Sequence, residues 1–219
     1  MAESIKSSGT RILLIRHGET DWNRIHRFQG RSDIPLNQKG REQARALALA
    51  LKHEPITSIY SSPLVRAIEM ARLIKMFHVS TPFFEEEALV EMDLGDFDGM
   101  EAKRWAAQFQ DFRKAWQENP ASVKMPGGES LKDVQTRAID ALERITKMYP
   151  PGSTLLICSH NFVNLAILCH ALEISLNRFR DLQQDTAAIS VLYKQGYRLW
   201  AEVVNDRSHL QKYKEHEAR

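Results

Sequence analysis

Short continuous apolar runs alternate along this chain with longer stretches in which apolar residues recur at helical spacing. Ile12-Leu13-Leu14-Ile15 stops at Arg16-His17-Gly18, and its lack of polar alternation predicts a strand covered on both faces, as in a parallel sheet. Ala44, Leu47, Ala48 and Leu51 then fall at i, i+3, i+4 and i+7, a helical face that Pro55 ends. Ile56 to Tyr60 returns to β-like chemistry. Ser61-Ser62-Pro63 has the form of a helix start, with Ser62 as N-cap and Pro63 in the first helical position, and that helix runs to about Phe77.

The second half repeats the alternation. One helix is expected over roughly Glu101 to Glu118, with Trp105, Phe109, Phe112 and Trp116 on one face. Pro120, Pro126, Gly127 and Gly128 make the following loop. Ser130 then caps a long helix whose buried stripe is Leu131, Val134, Ala138, Leu142 and Ile145. Thr154 to Cys158 is a further apolar strand and Asn161 to Leu172 a further helix. Two late strands, about Ala187 to Tyr193 and Tyr197 to Val204, flank Gln195-Gly196 and pair as a hairpin. Strands alternating with helices predict an α/β layered fold with a largely parallel sheet. One domain over about residues 11–205 is expected, with residues 1–10 and 206–219 as flexible polar termini.

Composition narrows the class. The 219 residues, 43% hydrophobic and 26% charged, exclude a disordered, collagen-like or disulfide-scaffold chain. Thirty Lys and Arg against 28 Asp and Glu leave a charge of +2, too small a bias to argue for nucleic acid or a membrane surface as partner. Met148 to Leu172 lacks Asp, Glu, Lys and Arg and is long enough to span a bilayer. Pro150, Pro151 and Gly152 open it, however, and Ser159, His160, Asn161, Asn164 and His170 interrupt it, so a buried strand, loop and helix are expected instead. Met1 to Thr10 has no apolar signal segment, and Cys158 and Cys169 sit in apolar stretches; a cytoplasmic, reduced protein is expected.

The candidate chemistry lies in a coincidence of position. One strand ends in Arg16-His17, another in Ser159-His160, and a third in Ser61-Ser62 with Arg66 one helical turn on. Ligands of open α/β sheets bind beyond the carboxyl ends of the strands, and helix N-termini there favour anions. Two histidines and two arginines gathered at one edge describe a pocket for a compact dianion such as a phosphoryl group. A histidine beside bound phosphate can act as nucleophile if one ring nitrogen is free and the other is pinned as N–H. A proton donor for the leaving alkoxide is still needed. Glu91 is the candidate, with Glu85, Glu86, Glu87 and Asp93 left open by spacing alone.

These residues resemble the histidine phosphatase superfamily, the phosphoglycerate-mutase-like fold. Arg16-His17-Gly18-Glu19-Thr20 with Trp22-Asn23 looks like its signature, and Ser61-Ser62-Pro63-Leu64-Val65-Arg66-Ala67 looks like its second motif. Glu91 followed by Gly95-Asp96-Phe97-Asp98-Gly99 is similar to its acid-bearing segment, and Gly127-Gly128-Glu129-Ser130 and Ser159-His160 match the remaining landmarks in order. The resemblance spans about Arg11 to Leu210 and implies a three-layer α/β/α sandwich. It also implies that His17 becomes phosphohistidine, that Arg16, Arg66 and His160 hold the phosphoryl oxygens, and that Glu91 protonates the leaving oxygen and then activates water. Asn23, Gln29, Gly30 and Thr20 are the substrate contacts expected with it, and the side chain of Asn161 is a further candidate. The scheme needs neither metal nor cofactor, and its partner is a small-molecule phosphate ester.

The same site supports a phosphatase or a mutase, depending on what reaches the phosphohistidine. Mutase members carry a longer insertion before the second histidine, whereas here two helices fill that segment. Phe28-Gln29-Gly30-Arg31 resembles the phosphatase branches, so phosphatase is favoured over phosphoglycerate mutase and over a non-catalytic phospho-ligand binding module. Many relatives place glycine after the second histidine; Asn161 departs from that and bears on substrate class. Sugar phosphates, phosphoglycerates, a nucleotide-loop phosphate and phosphopeptides all fit a positive pocket. Beside these stand plainer alternatives: Arg66 pairing with Glu69, surface ion pairing of Arg24, His26, Arg27 and Arg31, and an inert buried Cys158. The aromatic stripe suits core packing first, then a lid or a homodimer contact.

Overall fold

A computed structural model describes residues 9–211; most of the expected flexible termini lie outside them. The apolar runs form strands β1 (Thr10–Arg16), β2 (Ile56–Ser61), β4 (Thr154–Ser159), β5 (Ile189–Gln195) and β6 (Arg198–Asp206), joined by a three-residue β3 (Phe83–Glu85) that carries no sequence signal. The sheet has the order β3-β2-β4-β1-β5-β6. The strands from β3 to β1 are parallel, and the hairpin β5–β6 adds to β1 antiparallel. Helices are α1 (Asp21–Arg24), α2 (Gln38–Ala50), α3 (Val65–Lys75), α4 (Ala102–Gln108), α5 (Gln110–Glu118), α6 (Leu131–Thr146) and α7 (Asn161–Ala171).

The continuous apolar character of β1 and β4 follows from cover on both faces. Ile12 and Leu14 with Leu155 and Ile157 pack in one core with α6 and α7, while Leu13 and Ile15 with Leu156 and Cys158 pack in another with α2 and α3. These are the three layers of an α/β/α sandwich. The charge-free stretch is β4 and α7, and among the described residues no helix is long and apolar enough to cross a membrane.

Register then places the chemistry. Arg16 lies opposite Ser159 across β1 and β4, and Ser61 lies opposite Cys158 across β2 and β4. Arg16-His17, Ser159-His160 and Ser61-Ser62 therefore leave the sheet side by side at its carboxyl edge. The connections after β1 and β4 depart to opposite faces, the crossing point at which open sheets form a crevice.

Three expectations need correction. The helix after Ser61-Ser62-Pro63 begins at Val65, with Leu64 as N-cap, because the Ser62 hydroxyl is engaged by His160 instead. The helix over 101–118 is two, broken at Phe109 with φ −119° and ψ 50°. The break lets Phe109 and Phe112 each pack on Phe97 at 4.9 Å between ring centres, with Trp105 at 5.9 Å. The stripe is thus mainly core. Order also extends past residue 205: Arg207 pairs with Asp185 at 3.1 Å and His209 is buried.

Candidate active site

His17 follows β1, its backbone N–H donating to Ser159 at 3.1 Å and its carbonyl accepting from Ala187 at 3.1 Å. Gly18 packs against Gly40 of α2, where a Cβ on Gly18 would stand 2.6 Å from the Gly40 carbonyl oxygen; only glycine lets the chain turn there. The turn brings the Gly18 carbonyl 2.7 Å from His17 Nδ1. A carbonyl only accepts, so Nδ1 carries the proton and Nε2 keeps its lone pair. Burial, then the charges of Arg66 and Arg16, hold the His17 imidazole well below its ordinary pKa, in the neutral form.

His160 is buried at the N-cap position of α7 with its ring centre 5.1 Å from that of His17. Its Nδ1 accepts from Arg66 Nε at 3.2 Å, which leaves the proton on Nε2, 2.7 Å from Ser62 Oγ. Burial and Arg66 push His160 well down as well.

Arg66, fully buried on α3, is held by the loop after α1: Nη1 donates to Ser32 at 2.8 Å and Nη2 to Gly30 at 2.7 Å, both carbonyls. The Gln29 amide oxygen accepts from Arg66 Nε at 2.7 Å while its nitrogen donates to Thr20 Oγ1 at 2.6 Å. Burial lowers Arg66 to about 10, still cationic at neutral pH. Glu69 is not its partner, since it pairs with Arg41 at 3.2 Å. Arg16 is half-buried, donates through Nη1 to the Gln184 carbonyl, and has a buried Nε without a partner.

Glu91 is buried opposite these cations. Its carboxylate accepts from Met92 N–H at 2.9 Å and from Phe162 N–H, in the first turn of α7, at 3.1 and 3.2 Å. Those bonds favour the carboxylate, but burial outweighs them and raises the Glu91 pKa. The helix terminus expected to meet phosphate therefore meets this carboxylate.

The remaining candidates divide. Thr20 is fully buried and caps α1, accepting from Asn23 N–H at 3.2 Å, so it supports the loop and offers no surface to substrate. Asn23 Oδ1 accepts from Thr20 N–H at 3.1 Å in the reciprocal half of that cap, which leaves only its Nδ2 for a ligand. Gly30 has its N–H on Asp98 at 3.0 Å and its carbonyl on Arg66; a Cβ there would lie 2.9 Å from the Met92 carbonyl oxygen. Gly30 thus positions Arg66. Asn161 is half-exposed at the start of α7 beside His160. The basic run is ion-paired: Arg24 with Asp21, Arg27 with Glu101, and Arg31 with Asp93 and Glu129. Cys158 is a buried thiol that burial pushes up, so it stays protonated.

Three supporting residues escaped the sequence reading. Ser62 orients His160, Asp98 ties Gly30 and Ser32 N–H groups at 3.0 and 2.9 Å, and Arg137 clamps the segment carrying Glu91. Arg137 meets Glu129 at 2.9 and 3.0 Å and donates to the carbonyls of Ala88 at 2.6 Å and Glu91 at 3.3 Å. The landmark Glu129-Ser130 was the only sequence signal for it. Among the described residues no cluster of His, Cys, Asp and Glu is grouped to hold a metal ion.

Residues 12–207 match the family model of the histidine phosphatase superfamily (branch 1). Phosphoserine phosphatase 1 of Hydrogenobacter thermophilus is 33% identical over 193 residues, covering 86% of this chain and 88% of the relative. Phosphoglycerate mutase-like protein 4 of Arabidopsis thaliana is 33% identical over 192 residues, covering 82% and 83%. Among solved structures, Bacillus stearothermophilus YhfR superposes with a TM-score of 0.85 at 29% identity, covering 92% of this chain and 99% of that one. The chain belongs to the histidine phosphatase superfamily. It is a phosphoric monoester hydrolase.

Proposed function

We propose that the protein hydrolyses small phosphate monoesters through a phosphohistidine on His17. The observation that carries this reading is the state of His17: neutral, Nδ1–H fixed on the Gly18 carbonyl, Nε2 unprotonated, in a pocket with two arginines. Nε2 attacks phosphorus as the bond from phosphorus to the ester oxygen breaks. The charge gathering on the phosphoryl oxygens is met by Arg16, by Arg66 and by His160, whose Nε2–H passes from Ser62 Oγ to a phosphoryl oxygen as phosphate binds, and the unpartnered Arg16 Nε gains an acceptor. Glu91, whose pKa burial raises in favour of the acid form, gives its proton to the departing alkoxide. The resulting carboxylate takes a proton from water, whose oxygen attacks phosphorus and breaks the N–P bond. Inorganic phosphate leaves and His17 returns to its starting form. Asn23 Nδ2 and the side chain of Asn161 are the remaining substrate contacts.

The test is phosphate release from a panel of phosphate esters in a chelator, with His17→Ala alongside and phosphoenzyme trapped in alkali. Wild type is expected to release phosphate and carry an alkali-stable, acid-labile phosphoryl group. His17→Ala should do neither. Retained turnover in the variant overturns the reading, and phosphoryl transfer to a phosphoglycerate acceptor without release would make the protein a mutase.

A further inference from the structure

Beside the phosphoryl site lies a cavity of about 240 Å³, walled by Phe28, Trp105, Trp116 and Phe162 among other apolar side chains, with exposed polar residues that include Arg113 and Arg180 completing its lining. Two of its walls belong to the segments that build the phosphoryl site. Phe162 is the residue whose N–H holds the Glu91 carboxylate, and Phe28 precedes Gln29, whose amide oxygen faces Arg66. A leaving group protonated by Glu91 would therefore lie against these walls.

We propose that the leaving group is an aromatic ring bearing an anionic group, with Arg113 and Arg180 as the residues that select it. This rests on the phosphatase reading above. Size supports a ring, because a dry apolar cavity of about 150 Å³ already admits benzene. The walls are mostly aromatic carbon, which suits a flat apolar body better than a polyhydroxylated one. The Trp105 indole N–H, in a residue only 9% exposed, has no partner and awaits an acceptor.

The charge is equally specific. Arg180 donates from Nη2 to the Trp116 carbonyl at 3.3 Å, and its guanidinium stacks over the rings of Phe179 at 4.5 Å and Trp116 at 5.6 Å. Neither Arg180 nor Arg113 forms an ion pair among the described residues, unlike Arg24, Arg27 and Arg31. Two uncompensated cations beside an aromatic cavity complement a carboxylate on the ring.

The experiment compares kcat/KM for para-carboxyphenethyl phosphate, phenethyl phosphate and O-phosphoserine, all esters of primary alcohols, in wild type and in the surface variant Arg113→Ala/Arg180→Ala. Phenethyl phosphate should exceed phosphoserine by about tenfold or more from ring burial. The carboxylate should add about another tenfold, lost in the double variant while phenethyl phosphate changes little. Phosphoserine preferred over both ring esters, or a carboxylate preference that survives in the double variant, overturns the assignment and leaves the phosphatase reading standing. Failure of wild type to hydrolyse any of the three, with para-carboxyphenethyl alcohol nevertheless binding in calorimetry and weakened in the double variant, overturns the phosphatase reading while supporting the cavity's selectivity.

Discussion

At the scale of single residues, the proposed reaction divides the work between groups that would face phosphorus and groups that hold them. Glu91→Gln keeps the bonds to Phe162 and Met92 approximately in shape but has no proton to give. Turnover of alkyl esters should fall by about 10²–10⁴-fold. An aryl ester with an acidic leaving group should still phosphorylate His17, and the phosphoenzyme should accumulate because water is no longer activated; rapid-quench labelling measures this. Ser62→Ala removes the acceptor for His160 Nε2–H in a fully buried setting, at a cost of about 1–3 kcal/mol in denaturant unfolding. With its ring free to turn, His160 should also hold phosphate less well, seen as weaker inhibition by inorganic phosphate.

At the scale of elements, the segment from Val90 to Leu94, between two single 3-10 turns, has no regular structure to fix Glu91 and relies on the clamp from α6. Arg137→Lys keeps the charge but loses the paired contacts to Glu129, so it should not rescue Arg137→Ala. Both variants should lower kcat about tenfold and speed amide exchange over residues 88–95, read by hydrogen-exchange mass spectrometry. What was legible in the sequence has the same logic. β1 and β4 are readable because burial on both faces writes an unbroken apolar run, and α6 because Ser130 and Asp133 form a reciprocal cap at its start. The start of α3 misleads because Ser62-Pro63 has the local form of a cap, while the hydroxyl is claimed from His160, far away in sequence. Phe109 misleads because apolar spacing continues across a residue with non-helical backbone. The histidines and Arg66 were legible from strand ends, but the roles of Asp98 and Arg137 rest on contacts with backbone groups distant in sequence, which residue type and spacing do not reveal.

For the whole molecule, the neutral histidines set how stability depends on pH. Burial holds His17, His160 and His209 below their ordinary value, so the unfolded chain binds more protons once pH falls under about 6.5. Stability is full above that point and drops on acidification, by at most about 1.4 kcal/mol per pH unit for each histidine. Glu91 works the other way, since its raised pKa contributes stability at low pH that is lost as pH rises through the folded value. Three histidines against one acid leave a net loss on acidification down to about 4.5. Urea midpoints at pH 7.5 and 5.5 should show it, with a shallower slope in His17→Gln.

The strand order also governs when the protein becomes active during its synthesis. β1, which leads into His17, emerges from the ribosome early, yet its neighbour β4 is made more than a hundred residues later and must slot between β1 and β2. Until then His17 has no His160 beside it and Ser62 has no ring to hold. A nascent chain lacking β4 and α7 thus exposes unpaired strand edges without a working centre. The enzyme's chemistry is switched on by completion of its own sheet.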